Sequence, residues 1–399
     1  MVTSSPTDTL SALLADEARR QELFPVSARK IFLSHAAVTV LPQPVADAMA
    51  DYVRASAEDF IEFPTYLRVL QEARSTAAGL IHASPEEIAL LGPTSLGLSL
   101  FANGIRWAPG DEVICYQDDY PANVYPWLNL RTRGVTVRLV QPSALGAITT
   151  ETIEPMLNQH TRLVALASCH FVSGYRLDIT AIGKMLRERN ILFSVDAIQT
   201  LGAFPTTVEY VDFLSADAHK WLLGPLASGI VYVRKECFDL CRPTLLGSWN
   251  IKAPNFVSRD ELEFLETAQR YEPGALNMPG IVGTKTAIDL LQAIGIDQIA
   301  ARLLALHTYI TERLARIGFQ LLGPREPQAA SGIATFSHPT ANLVDLHRQL
   351  TNERVVCSLR QDRAGNNYLR FSPHFYNTEA ELDQVVAILE RQVAGGPRH

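Results

Sequence analysis

The chain has 399 residues, 47% hydrophobic and 19% charged, with 23 Gly and 23 Pro; this is ordinary globular composition with room for two domains, and it excludes a disordered chain or a small disulfide scaffold. Lys plus Arg number 35 against 42 Asp plus Glu, a net charge of −7 without a basic block, so nucleic acid is not expected as a partner. The longest uncharged run, from Ile88 to Ile105, holds Gly92, Pro93, Thr94, Ser95 and Asn103, which excludes a membrane span.

No Lys or Arg precedes Arg19 and the first residues lack an apolar h-region, so no secretory signal is expected. Five scattered cysteines (Cys115, Cys169, Cys237, Cys241 and Cys357) read as reduced thiols of a cytoplasmic protein, with no zinc or other metal site.

In chain order, the stretch from Thr7 to Leu23 sets Leu10, Leu13 and Leu14 among charges and reads as a helical arm. Short, continuous apolar runs follow at Ile88 to Leu91, Glu112 to Tyr116, Thr136 to Val140, Leu163 to Ala167, Ile191 to Val195, Asp212 to Ser215 and Gly229 to Val233. Such runs predict strands buried on both faces of a mainly parallel sheet. Helical stretches lie between them; Asp178 caps one that runs to Arg189, where Asn190 is the stop. Beyond about Arg242 the pattern changes. Long helices are predicted over Asn277 to Ile294 and Asp297 to Ile317, strands near Gly332 to Phe336 and Val355 to Leu359, and a last helix from Thr378 with Glu381 completing a capping box. The chain therefore divides into an arm over 1–30, a large α/β domain over 31–245 and a smaller α+β domain over 246–399.

The segment from Ile191 to Val233 carries the chemistry. It places Asp196 at the C-terminal end of an apolar strand, the edge where open α/β sheets hold ligands. A carboxylate there needs a cation. A later strand ends in Asp217, His219 and Lys220, followed by Trp221 and a Gly224-Pro225 turn, and a lysine in that position is a candidate Schiff-base nucleophile.

With these motifs the sequence resembles the class V aminotransferases, the pyridoxal phosphate (PLP) family that includes cysteine desulfurases, kynureninase and isopenicillin N epimerase, over roughly Phe32 to Leu389. The resemblance implies an aspartate aminotransferase-like fold, with a mixed, mostly parallel seven-stranded sheet and a smaller C-terminal domain. It implies PLP as cofactor, an amino acid as substrate and a homodimer. Lys220 matches the lysine that forms the Schiff base, and Asp196 of the V-D-x-x-Q motif matches the partner of the pyridine nitrogen, which stays protonated only beside such a carboxylate. Gln199 matches the donor to the ring phenolate.

Leu91-Gly92-Pro93-Thr94-Ser95 looks like the phosphate loop, with Thr94 and Ser95 at a helix N-terminus; a Thr-Ser pair is equally a helix cap. His219 aligns with a phosphate-binding histidine. Asp217 stands where many members carry serine, and a carboxylate would repel a phosphate there. Tyr120 replaces the stacking histidine and can cover the ring face, but its ordinary pKa near 10 unfits it for proton relay at neutrality. Arg370, in a stretch resembling R-x-S-x-x-x-Y-N-T, matches the arginine that forks onto the substrate α-carboxylate, and Arg360 and Arg363 lie close upstream. His170 falls near an amide donor of relatives, and a satisfied core histidine reads as well there. His35 lies in a loop resembling the substrate-side D-N-A-A turn.

The desulfurases of this family carry a mobile cysteine shortly before the carboxylate-binding arginine, whereas the segment from Gln361 to Leu369 contains none and Cys357 falls inside a predicted strand. Ala275, in Gly274-Ala275-Leu276-Asn277, lacks the hydroxyl that relatives offer a neighbouring subunit's phosphate. The reaction expected is elimination or related lyase chemistry on an α-amino acid, without a persulfide-forming cysteine. Aminotransfer and epimerisation begin with the same proton transfer and stay open; a non-catalytic PLP-fold binding protein is a remote alternative, and no G-x-G-x-x-G supports a dehydrogenase.

Overall fold

A computed structural model describes residues 6–253, 255 and 257–394. In chain order the helices and strands are α1 (Pro6–Ala15), α2 (Glu17–Leu23), β1 (Ile31–Phe32), α3 (Gln43–Glu58), α4 (Phe63–Ile81), β2 (Ile88–Ala89), α5 (Thr94–Gly104), β3 (Glu112–Tyr116), α6 (Tyr125–Asn129), β4 (Thr136–Val140), α7 (Thr150–Ile153), β5 (Thr161–Ala167) and α8 (Ile179–Arg187). They continue as β6 (Leu192–Asp196), β7 (Phe213–Asp217), β8 (Gly229–Val233), α9 (Met278–Ile294), α10 (Ile296–Arg316), β9 (Gln320–Leu321), β10 (Ala334–Ser337), α11 (Leu343–Asn352), β11 (Val355–Val356), β12 (Ser358–Gln361), β13 (Asn367–Phe371) and α12 (Glu379–Ala394).

The seven-stranded sheet runs β2-β8-β7-β6-β5-β3-β4. Its centre from β4 to β7 is parallel, while β8 and β2 pair antiparallel. The continuous apolar runs are explained by two cores, one on each face. Val164, Leu166, Phe193 and Val195 belong to one, and Leu163, Ala165 and Leu192 to the other. Strands that bury both faces have no polar face to alternate with. Helix α5 packs on β7 so closely that a Cβ on Gly97 would stand 2.4 Å from the Ser215 hydroxyl, so only glycine fits there.

The strand expected over Ile88 to Leu91 stops at Ala89, because the Leu90 N–H donates to Glu272 at 2.8 Å instead of to a neighbouring strand. The run from Val355 to Leu359, expected as one strand, is two. Val355 and Val356 pair in parallel with Ile31 and Phe32, whereas Ser358–Gln361 joins the four-stranded sheet β12-β13-β10-β9. That sheet shares a core with α10, α11 and α12 through Leu306, Ile310, Phe336, Phe371 and Leu382. The capping box of α12 forms as the sequence predicts, with Glu381 N–H on the Thr378 hydroxyl at 3.3 Å and Thr378 N–H on the Glu381 carboxylate at 3.0 Å. Asn190 stops α8 with φ +55°, a left-handed turn that asparagine tolerates. The apolar arm residues Leu10 and Leu13 are buried in the large core. No helix of the described residues is long and apolar enough to cross a membrane.

Arg74 on α4 meets Glu272 at 2.5 Å with both side chains about 95% buried, and this pair holds Leu90 at the entrance to the Gly92–Thr94 loop. Burial pushes the Glu272 carboxyl up, against the attraction of Arg74. Arg74→Met strands that carboxylate and is expected to cost about 3–5 kcal/mol, read as an earlier urea unfolding transition. Combining it with Glu272→Gln, which removes the charge and keeps an acceptor for Leu90, recovers part of the loss; no recovery would mean that the pair is not what is lost.

Candidate active site

Parallel pairing sets Ala167 beside Asp196 and Asp196 beside Ser215, so β5, β6 and β7 end on one edge of the sheet. The chain leaving β7 carries Asp217, His219 and Lys220 across that edge. A cleft of about 330 Å³ opens there, and its lining includes Thr94, Ser95, Tyr120, Asp196, Gln199, His219, Lys220 and Arg370. Of the residues singled out from the sequence, His35, His170, Asp217, Arg363 and Cys357 are not among its lining.

Lys220 is held by a tight turn in which Leu223 N–H donates to the Lys220 carbonyl at 3.1 Å and Gly224 N–H to that of Ala218 at 2.9 Å. Leu223 pays with φ +57°, a strain of about 1–2 kcal/mol that the surrounding packing must hold. The side chain is buried. Burial pushes the Lys220 amine down to about 8, against the attraction of Asp196 and with Arg370 and Arg360 repelling its charge. Asp196 accepts the Ile198 N–H at 3.1 Å and has no ion pair at contact distance among the described residues; burial pushes its carboxyl up to about 6 despite Lys220 nearby. An amine near neutrality facing a buried, undercompensated acid marks a reactive site.

At one end, Thr94 opens α5 with its hydroxyl buried, accepting the Asp217 N–H at 2.8 Å. Ser95 beside it is exposed. Asp217 is engaged by groups of the protein. Its carboxylate accepts the Ala218 and Ala227 N–H groups, each at 3.1 Å, and His219 Nδ1 at 2.6 Å. That contact fixes the ring and leaves Nε2 as the free nitrogen of His219. Gln199 is oriented from both sides: its oxygen accepts Trp221 Nε1–H at 3.0 Å and its nitrogen donates to the Ala36 carbonyl at 3.2 Å. One amide N–H stays uncommitted.

Across the cleft the Tyr120 ring lies 5.3 Å from Lys220 Nζ and edge-on to Phe171. Its loop is pinned by Asp119, a buried acid that the sequence reading missed. Asp119 accepts the Ala167 N–H at 3.0 Å, the Asn123 amide at 3.1 Å and the Tyr120 N–H at 3.3 Å. Burial and then Asp196 push its carboxyl up to about 7. Nothing in the pair Asp118-Asp119 announces which acid turns inward.

Arg370 on β13 is almost fully buried and lines the cleft. It donates to the Phe171 carbonyl and, at 3.3 Å, to the Ser358 hydroxyl, and it has no carboxylate partner among the described residues. Arg360 lines the cleft beside it. Arg363, grouped with Arg360 from the sequence, is instead tied to Asp118 at 2.5 Å and to the Gln117 carbonyl at 2.7 Å.

The two remaining histidines lie outside the cleft lining, with their ring nitrogens bonded to groups of the protein. Ser173 N–H donates to His170 Nδ1 at 3.1 Å, so Nε2 carries the proton and gives it to the Asp118 carbonyl at 2.9 Å. Both nitrogens are spent on protein. His35 is fully buried between the Thr39 hydroxyl at 2.7 Å and the Tyr376 hydroxyl at 3.1 Å, and burial holds it well below its ordinary range. It lies beside the loop whose Ala36, Ala37 and Val38 face the cleft, and it supports that wall.

The donor set fits pyridoxal phosphate: a buried acid without a cation for a ring nitrogen, a helix start with Thr94 and His219 for a phosphate, an aromatic face, and a depressed amine for an aldehyde. Cysteine 357 lies outside the lining, buried, with its thiol pushed up to about 12 by burial.

Comparison with known proteins agrees with this geometry. The family described as Aminotransferase class-V matches residues 31–385. A probable cysteine desulfurase of Methanothermobacter thermautotrophicus is 29% identical over 403 residues, covering 95% of this chain and 98% of that protein. The solved apo structure of a cysteine desulfurase from Thermococcus onnurineus superposes with a TM-score of 0.88 at 24% identity, covering 95% of this chain and 98% of its own. A cystine C-S lyase in complex with its product, cysteine persulfide, does so with a TM-score of 0.84 at 21% identity, covering 94% and 100%; at these identities the two structures speak for the fold. Matched along nearly its whole length, the chain belongs to the class V aminotransferase family and is a pyridoxal phosphate-dependent enzyme.

Proposed function

We propose that the enzyme acts on an α-amino acid by elimination or a related lyase step, with Lys220 both tethering the cofactor and moving the Cα proton, and with no cysteine taking up sulfur. The observation that carries this reading is the buried amine of Lys220, held at the mouth of the cleft between Asp196 and the unpaired Arg370. When bound, the cofactor supplies an electron sink for the bond broken at Cα. Asp196 supports that by holding a proton on the ring nitrogen. Tyr120 covers the ring, Gln199 directs an N–H at it, and Thr94, Ser95 and His219 take the phosphate. Arg370 binds the substrate α-carboxylate and so orients Cα toward Lys220.

Relatives named cysteine desulfurase make the lyase class the natural reading. The cysteine-free form of it is supported by the short turn between β12 and β13. There Asp362 accepts the Asn366 N–H at 2.9 Å and the Tyr368 hydroxyl at 2.9 Å, a compact hairpin rather than a long arm. Cys357→Ser is therefore expected to leave turnover unchanged; its abolition would restore a persulfide mechanism.

A homodimer is supported by apolar side chains that the single chain leaves in solvent on and near α4, Phe60 at 81% and Phe63 at 48% exposure, and Phe63 packs on Trp249. Such a patch is costly to a monomer. A cytoplasmic setting is supported by all five cysteines being free and buried.

Borohydride treatment of cofactor-loaded protein should label the peptide containing Lys220, and no other after Lys220→Ala. In the apoprotein only the deprotonated amine reacts with an acylating reagent, so Lys220 labelling should rise with pH through a midpoint near 8. Asp196→Asn removes the attraction that holds the proton and moves this midpoint lower; a midpoint at the ordinary lysine value or an upward shift would contradict the placement. Arg370→Gln should raise the amino-acid concentration needed to perturb the cofactor absorbance by about 2–3 kcal/mol, roughly 30- to 150-fold, without loss of the Lys220 label. Ammonia and a keto acid formed without a keto-acid co-substrate identify elimination. Amino transfer to an added keto acid, or solvent deuterium in an inverted centre, would replace it.

A further inference from the structure

Arg360 and Arg370 project from the same face of the small sheet. Arg370 stands opposite Ser358, and Arg360 stands opposite Tyr368 two residues along, which makes the two arginines diagonal neighbours within reach of each other. Neither has an acid. No ion pair or hydrogen bond reaches the Arg360 guanidinium among the described residues, and the buried Nε atoms of both arginines lack a partner. Two adjacent, partly desolvated guanidiniums repel, and neither gives up its proton.

The nearby acids are all spoken for. Arg363 takes Asp118, Asp362 is bound by Asn366 and Tyr368, and Asp217 by His219. Asp196 is the one acid among the lining residues of the cleft. On the reading above it answers the ring nitrogen, while the phosphate lies with Thr94 and His219. One α-carboxylate then balances Arg370 and leaves Arg360 without a counter-charge.

We infer that Arg360 is a specificity-determining residue that receives a second anionic group, on the side chain of the substrate, so that the enzyme's amino acid is acidic. The proposal rests on the amino-acid reading of the cleft but can fail without it.

The test is an absorbance titration of the holoenzyme with the near-isosteric pairs L-aspartate and L-asparagine, and L-glutamate and L-glutamine. The acid of at least one pair should perturb the cofactor spectrum at about tenfold lower concentration than its amide or less, as a charged hydrogen bond implies. Arg360→Gln should collapse that ratio toward one, and Arg360→Lys should keep part of it. Acid and amide bound equally by the wild type, or a glutamine variant that weakens both in proportion, would overturn the inference while leaving an amino-acid enzyme in place. The wild-type ratio decides even if the variants fold poorly. A spectrum that no amino acid perturbs, in protein whose Lys220 takes the borohydride label, would remove the amino-acid reading itself, and this inference with it.

Discussion

Everything in the cleft answers to the burial of charge at the end of β6. Asp196 is almost fully enclosed and Lys220 nearly so, and in such surroundings neither group is stable in its charged form without the other or a ligand. Burial therefore drags the acid up and the amine down until the two ranges approach each other. A surface pair would stay fully charged and inert. Burial beside a buried acid lowers the amine from its ordinary range to about 8, so that a far larger share of it is neutral at physiological pH than for a surface lysine.

The sheet makes that enclosure possible. The parallel strands β3 to β7 put their carboxyl ends on one edge, the edge where sheets of this kind hold polar side chains around a ligand. The switch to antiparallel pairing at β8 matters as well. It brings Gly229 opposite Asp217, so the chain turns back immediately beyond Lys220 and Ala227 can donate its N–H to the Asp217 carboxylate. The small sheet contributes from the far side. Residues 31–35 run beside it, Leu33 N–H bonding Val356 and Ser372 N–H bonding Leu33, and then deliver Ala36 and Val38 to the cleft wall. Thr39 closes the circuit by donating to the His219 carbonyl at 2.8 Å.

The gathering of Asp196, Gln199, His219 and Lys220 in one cleft was legible in the sequence because they sit at fixed offsets within one motif. They are placed by β6, β7 and the turns that follow them, and no distant contact can move them far. Long apolar elements were legible for the same reason, since a doubly buried strand needs a continuous apolar run. What failed depended on tertiary partners. His35 and His170 have plausible loop positions, but Tyr376 and Asp118, 341 and 52 residues away, each occupy one of their ring nitrogens. Asp119 and Asp118 are neighbours with opposite fates, and Arg360 and Arg363 are another such pair. In each case the side chain that leaves lies in the turn after a strand, Asp118 beyond β3 and Arg363 beyond β12, and a turn carries no periodic signal that says which side chain points inward. Asp217 was open in the sequence for a different reason: its partners are the Ala218 and Ala227 N–H groups and His219 Nδ1, and the last two come from a turn and a ring orientation that the motif does not specify.

The cleft that results has more cations than its own acids can match. Lys220, Arg370 and Arg360 gather around Asp196, and the sheet pairing that aligns the two arginines offers no third side chain to separate them. Proteins tolerate an excess of buried like charge where a ligand supplies the remainder, because binding then recovers the electrostatic cost that folding incurred. Preorganised in this way, the guanidiniums need no rearrangement when an anion arrives. The same positive field repels the proton on Lys220. On the proposed function, substrate anchoring and base activation are two effects of one charge imbalance, and a change that relieves it at either arginine should be felt at both.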